Sequence, residues 1–313
     1  MHFSRILVEW FERGSLMLTG VHIAFIGGDA RQLEVIQACT ELDATITLIG
    51  FENLQSEFPG AHKQPFLPET LNSVDAVVLP IVSCDEQGRV ESIFTHRTLV
   101  ITDAHMQALS KKAKIYTGIA KPYLRQLCEK YSVPLEELLN RDEVAIYNSI
   151  PTAEGALMMA MQNTDFTIHG AKTAVLGFGR TGMTLARVLK GIGAAVRVGV
   201  HRPDHFARAF EQGLDPFYTE HLKELAPGFE LVFNTVPQLI LTPSVLANFP
   251  SGAVIIDLAS APGGTDFRFA EKRGLKALLA PSLPGIVAPK TAGRIIARTL
   301  IRLVVEQTGK QED

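Results

Sequence analysis

The chain has 313 residues, 46% of them hydrophobic and 20% charged, with a formal net charge of −3. Such a composition is that of a globular protein long enough for two cores. It excludes the basic field needed for non-specific nucleic-acid binding, and no apolar run is long enough to predict a membrane span. Three widely spaced cysteines, Cys39, Cys84 and Cys128, predict reduced thiols rather than a disulfide framework.

Residues 1–16, "MHFSRILVEWFERGSL", lack a long apolar core and a small-residue cleavage site, so they do not read as a secretory signal. Two readings stay open: an extension ahead of a true start at Met17, or a short amphipathic helix. From Val21 the chain alternates strand and helix. "VHIAFIGG" is a buried strand ending in a glycine pair, and Asp29 is placed to cap the helix "DARQLEVIQACTEL". "ATITLIGF", "DAVVLPIV" and "AKIYTGIA" are further strands, the last followed by helical "KPYLRQLCEKY". This predicts a parallel sheet covered by helices over 17–150. Pro151 and Glu154 suit the first turn of a helix, and residues 156–161 are apolar on every side, which predicts a helix buried all round and crossing between domains.

The pattern then restarts over 151–292. "KTAVLGF" is a strand, and Gly177, Gly179 and Gly182 form a G-x-G-x-x-G turn, with Arg180 and Thr181 at the start of the helix. The first glycine allows the tight turn, the second a close approach to a pyrophosphate, and the third close packing of helix on strand. The turn sits between a strand and a helix, with another strand at the right distance, which makes a dinucleotide site the stronger reading over a structural turn. That next strand ends in Val200, His201 and Arg202 where NAD sites carry an acid, so His201 and Arg202 predict NADP, with NAD the lesser expectation. Two later strands end in Asn234, Thr235, Val236 and Pro237, and in Asp257 and Ala259. These tails are expected to face the cofactor, although Asp257 reads equally as a local backbone cap. A Pro/Gly-rich loop leads to a last helix over 293–313, expected to return to the first domain. Its Arg294, Arg298 and Arg302 read as a solvated stripe. The fold expected is α/β: two doubly wound parallel-sheet domains, the second a Rossmann dinucleotide-binding domain, joined by crossing helices.

"IAFIGGDARQ", "IYNSIPTAEG", "TDFTIHG", "VLGFGRTGMT", "DLASAPGGTDF" and "LAPSLPGIVAPKTAG" together resemble the dipicolinate synthase A-subunit family of spore-forming bacteria. The resemblance implies an NADP-linked dehydrogenase that makes pyridine-2,6-dicarboxylate in the cytoplasm of the mother cell during sporulation. It also implies a flavoprotein-like second subunit, and a homo-oligomer stays open. The substrate would be a cyclic dihydro- or hydroxytetrahydro-dicarboxylate, held without a metal. Expected substrate contacts are Asp29 and Arg31 at the tip of the first strand, with Arg31 the carboxylate clamp, Asn148 and Thr152 at the crossing helix, and Lys290 and Thr291 at the last helix. Lys290 and Glu154 are the candidate proton handlers. His169 reads as structural. Unlike D-2-hydroxyacid dehydrogenases, the chain has no histidine beyond His221, and it lacks the Tyr-x-x-x-Lys pair of methylene-tetrahydrofolate dehydrogenases. A non-catalytic NADP-binding subunit that positions a flavoprotein partner remains the alternative.

Overall fold

The computed structural model describes residues 17–309, so the expectation for 1–16 lies outside the described residues. The chain divides into two units: one runs to Val144 and resumes at Pro289, and the other is Ala145–Ala288.

The first unit is built on β1 (His22–Ile26), β2 (Thr45–Ile49), β3 (Ala61–Gln64), β4 (Ala76–Val78), β7 (Lys114–Thr117) and β8 (Leu135–Glu137), all parallel, in the order β3-β2-β1-β4-β7-β8. A two-stranded antiparallel ribbon, β5 (Arg89–Val90) with β6 (Leu99–Val100), lies apart from this sheet. β1 and β4 are apolar and buried almost throughout, as expected of central parallel strands covered on both faces. β3 and β8 are short and polar, and they occupy the edges, where such strands deter pairing with other chains.

The helix Ala30–Glu41 starts where Asp29 accepts a hydrogen bond from the Arg31 amide at 2.9 Å. Against it packs the last helix, Pro289–Thr308, whose Ile296, Leu300, Ile301 and Val304 share one core with Ile23 and Phe25 of β1 and Ile46 of β2. Each fully buried side chain of this kind contributes about 1.5–3 kcal/mol. A Cβ on Gly293 would stand 2.4 Å from the Arg31 carbonyl, so the two helices approach at a position only glycine fills. Gln307 fastens the far end, donating to the carbonyls of Asp75 and Lys112 and accepting from the Tyr116 hydroxyl. Of the predicted arginine stripe only Arg294 is exposed, Arg298 and Arg302 being half-buried, and Arg294 pairs with Glu34 while Arg302 pairs with Glu143 and Glu306.

The second unit repeats the topology. Its strands are β9 (Lys172–Leu176), β10 (Ala195–Val200), β11 (Asp215–Tyr218), β12 (Leu231–Asn234), β13 (Val254–Asp257) and β14 (Lys276–Leu279), all parallel, in the order β11-β10-β9-β12-β13-β14. Strand order reverses between β9 and β12, and the carboxyl ends of those strands mark where such sheets bind ligands.

The connecting helix differs from its expected form. It runs Asp142–Asn163, so Pro151 sits inside it rather than in its first turn. The units accordingly divide at 144/145 and 288/289, against boundaries expected at 150/151 and 292/293. Side chains take over part of the hydrogen bonding around the proline: the Ser149 hydroxyl donates to the Ile146 carbonyl and the Thr152 hydroxyl to that of Asn148. Nor is the helix buried all round. Ala153, Ala156 and Ala160 face the core of the second unit, while Met158 and Met161 are 37% and 57% exposed. Unbroken apolarity hides which face is covered. No helix among the described residues is long and apolar enough to cross a membrane.

Candidate functional site

The helix Arg180–Gly191 follows β9 directly through Gly177, Phe178 and Gly179. Gly177 has φ +95°, and a Cβ there would lie 2.4 Å from the Thr235 hydroxyl. A Cβ on Gly182 would lie 2.1 Å from the Gly177 carbonyl, so the third glycine sets how closely helix meets turn. A Cβ on Gly179 would meet nothing within 4 Å. Gly179 is the helix N-cap, and no side chain caps this end. The turn therefore presents the positive end of a helix, uncapped by any side chain among the described residues, to open space, the cradle a pyrophosphate needs.

That space is a cleft of about 460 Å³ lined by Gly177, Gly179, Arg180 and Thr181 from the turn, His201 and Arg202 from the end of β10, and Thr235, Val236 and Pro237 from the end of β12. Sequence reasoning missed Phe178, His205, Thr219, Gln238 and Ile240, which also line it. His205 follows Arg202 by three residues, and its ring meets Phe178 edge-on at 6.4 Å. The register of those helical positions was its only trace in sequence. The residues fit a dinucleotide: room over Gly179, an uncapped helix end, and a guanidinium beside the strand end.

Four of the expected cofactor residues do not reach the cleft. Gly182 is buried in the helix–turn contact. Asp257 is fully buried and accepts from Asn234 Nδ2 at 3.0 Å, the Ala259 amide at 3.0 Å, the Gly264 amide at 2.8 Å and the Thr265 hydroxyl at 2.6 Å. Its lone pairs are spent locally, which is the capping role weighed beside the cofactor role. Asn234, also fully buried, brackets Val236 by donating to its carbonyl and accepting from its amide, so it shapes the turn behind the cleft. The Ala259 amide is committed to Asp257.

The expected substrate residues are distributed over both units. In the first, Asp29 grips Arg31: the guanidinium Nε lies 3.0 and 3.1 Å from the two carboxylate oxygens and Nη2 lies 2.5 Å from one. Burial pushes the Asp29 carboxyl up, but the Arg31 side chain and amide outweigh this and hold it below the usual carboxylate value. The pair thus closes on itself, and the clamp expected of Arg31 is filled by its own neighbour. Lys290 and Thr291 lie in the first turn of Pro289–Thr308, Lys290 exposed and without an acidic partner among the described residues.

In the second unit, Thr152 lies mid-helix, so the anion site expected at a helix start there does not exist. Asn148 is half-buried on the same helix, and its buried Oδ1 has no hydrogen-bond partner among the described residues. Glu154 is exposed. His169 bonds the Ile192 carbonyl through Nδ1 at 3.1 Å. All three cysteines are buried and free, and burial pushes the Cys39 and Cys128 thiols up to about 12. No group of three or more His, Cys, Asp or Glu side chains is placed to hold a metal among the described residues.

Comparison with known proteins adds to this geometry. Residues 22–139 match the family described as the N-terminal domain of the dipicolinate synthase A subunit, and residues 172–244 match pyridine nucleotide-disulphide oxidoreductase. The chain is 47% identical over 290 residues to the dipicolinate synthase A subunit of Bacillus subtilis (strain 168), covering 93% of this chain and 98% of that protein. The crystal structure of the dipicolinate synthase A subunit from Bacillus halodurans superimposes with a TM-score of 0.90 at 50% identity, over 92% of this chain and 99% of that one. An L-alanine dehydrogenase shares the fold alone, with a TM-score of 0.63 at 14% identity, over 93% of this chain and 90% of its own. With its nucleotide-type cradle on a dehydrogenase-like fold, and with these matches along nearly its whole length, the chain belongs to the dipicolinate synthase A-subunit family.

Proposed function

We propose that this chain is the NADP-binding, oxidising subunit of a dipicolinate synthase. It would convert a dihydrodipicolinate, or a hydroxytetrahydrodipicolinate after loss of water, to pyridine-2,6-dicarboxylate in the mother cell of a sporulating bacterium. The observation that carries this is the open, uncapped glycine cradle with Arg202 at its rim, in a chain so close to a known dipicolinate synthase component. NADP, when bound, supplies the acceptor for a hydride. The substrate gives up that hydride and a proton, and the aromatic ring so formed drives the reaction, leaving the protein mainly to orient the two partners. Arg202 pairs with the 2′-phosphate and the amides after Gly179 hold the pyrophosphate. Lys290 and Thr291 bind one substrate carboxylate. The Bacillus subtilis relative is named as one component of a multi-subunit synthase, which supports a complex with a second, flavoprotein-like subunit.

One observation favours the alternative, a non-catalytic NADP-binding subunit that positions that partner. Lys290 and Glu154, the candidate proton handlers, are both exposed, and neither is aligned by a hydrogen bond among the described residues. The test is to supply enzymatically generated dihydrodipicolinate and NADP, with and without the second subunit, and follow the ultraviolet band of the aromatic product together with NADPH. Turnover by this chain alone supports the oxidising role. Turnover only with the partner supports the alternative, and none in either case overturns both.

A further inference from the structure

The fork of Arg202 is already held. Its Nε donates to Asp204 Oδ1 at 2.9 Å and its Nη2 to Asp204 Oδ2 at 2.6 Å, and it makes no other hydrogen bond among the described residues. Asp204 lies in the first turn of the helix Pro203–Glu211, with Pro203 between the two partners. Where a dinucleotide site carries an acid, it normally stands at the end of the second strand. In this chain the acid stands a few residues later and reaches the site through the arginine. No carboxylate lines the cleft itself, whereas Arg180, His201, Arg202 and His205 do.

We propose that Asp204 is a specificity-determining residue of the dinucleotide site, which competes with a 2′-phosphate for the Arg202 guanidinium and so limits how strongly the site prefers the phosphorylated cofactor. This rests on the dinucleotide reading given above. A guanidinium has five N–H groups, and bidentate recognition uses two of them along one edge. Asp204 occupies such an edge. The pair is exposed, 64% on the arginine and 58% on the aspartate, and exposed pairs are weak. A phosphate with nearly two negative charges, tethered by the rest of the dinucleotide, therefore wins the guanidinium. Asp204 is then left beside it. Hydrogen bonds from Arg202 hold the Asp204 carboxyl below the usual carboxylate value, so it is ionised at neutral pH and competes with the phosphate for the guanidinium. An unphosphorylated ribose meets no such opposition. The acid weakens one cofactor and spares the other.

The experiment is titration calorimetry on the full chain with NADP and NAD, and with adenosine 2′,5′-bisphosphate and 5′-AMP as minimal probes. Asp204→Asn should tighten NADP and the bisphosphate about three- to fivefold, the upper range for one exposed ion pair, with NAD and AMP within about twofold. Asp204→Glu, which keeps the charge, should hold the wild-type ratio. In an Arg202→Ala background, Asp204→Asn should move the ratio less than about twofold, because the competition needs the arginine. A merely structural Asp204 would shift all four ligands together. An unchanged NADP/NAD ratio in Asp204→Asn, a fall in NADP affinity, or an equal gain without Arg202 overturns the proposal and leaves the dinucleotide reading intact. A wild type that binds none of the four ligands overturns that reading, and the role of Asp204 with it.

Discussion

At the scale of single residues, the cradle makes an exacting demand on Gly179. Its surroundings are open, so a side chain there disturbs no packed neighbour and would occupy only the space a ligand needs. Gly179→Val should abolish dinucleotide binding while leaving the melting temperature within a few degrees. Calorimetry and thermal melts together check this, and affinity retained within a few-fold places the dinucleotide elsewhere. Lys290 is the corresponding test on the substrate side. A charge-assisted contact contributes about 1.5–3 kcal/mol, so Lys290→Met should lower kcat/KM by about one to two powers of ten, mostly through KM, with NADP affinity unmoved. Loss of kcat at constant KM would instead identify a base, and unchanged kinetics would remove Lys290 from the site. Why some single-residue roles escaped the sequence is plain from Asn234 and Arg31. Each stands where a ligand contact is expected, and each is consumed by another residue, Arg31 by Asp29 two positions away and Asn234 by Asp257, distant in sequence. Arg202 shows the same effect in reverse, since its acidic partner was two residues away but hidden in a helix start.

At the scale of elements, the two units offer a controlled contrast. Both sheets share one strand order, and both first strands end in glycine, yet only the second makes a cradle. In the first unit the Gly28 amide donates to the Glu91 carbonyl, and a Cβ on Gly27 would stand 2.5 Å from that same oxygen, so the 89–94 segment fills the place a phosphate would take. Asp29 caps the helix that follows and neutralises its positive end. The alternation of apolar strands with helices made the doubly wound architecture legible, because buried parallel strands are apolar on both faces. The edge strands β3, β8 and β11 were not legible, being short and polar or interrupted by proline. The start of the connecting helix was misplaced for a local reason: Pro151 carries a helix-start signal that tertiary packing overrides. The last helix gives a stability test. Leu300 is fully buried against the first sheet, and Leu300→Ala should cost about 2–5 kcal/mol, read as a lower denaturant midpoint. A cost under about 1 kcal/mol would mean that this helix is not integral to the core.

At the scale of the whole molecule, acid should tell on the first unit through His105. Burial pushes its pKa below the ordinary histidine value, outweighing the opposite pulls of the Phe66 backbone and the Glu69 charge, and its ring packs tilted against Phe66 at 4.1 Å. Thr102 donates its amide to His105 Nδ1, a bond that requires the neutral ring. A group with a lowered folded-state pKa contributes stability above its unfolded pKa and loses it as pH falls, so the loss begins near about pH 6.5. Glu143, held low by Arg141, adds its own loss only below about pH 4.3. The denaturant midpoint of β7 amides, followed by hydrogen exchange, should therefore drop between about pH 7 and pH 5, and His105→Gln should flatten most of that drop. A variant that keeps the full slope would assign it to other groups.

The return of the last helix to the first sheet also sets an order of events during synthesis. A ribosome delivers the first unit's strands early, but the helix that covers Ile23, Phe25 and Ile46 emerges only after the whole second unit. The intervening segment, complete in its own core, is free to fold first, reversing the usual N-terminal priority of nascent domains. Until that helix leaves the tunnel, the first sheet keeps an uncovered apolar face. Chaperone binding to stalled nascent chains should accordingly persist until Pro289–Thr308 is released.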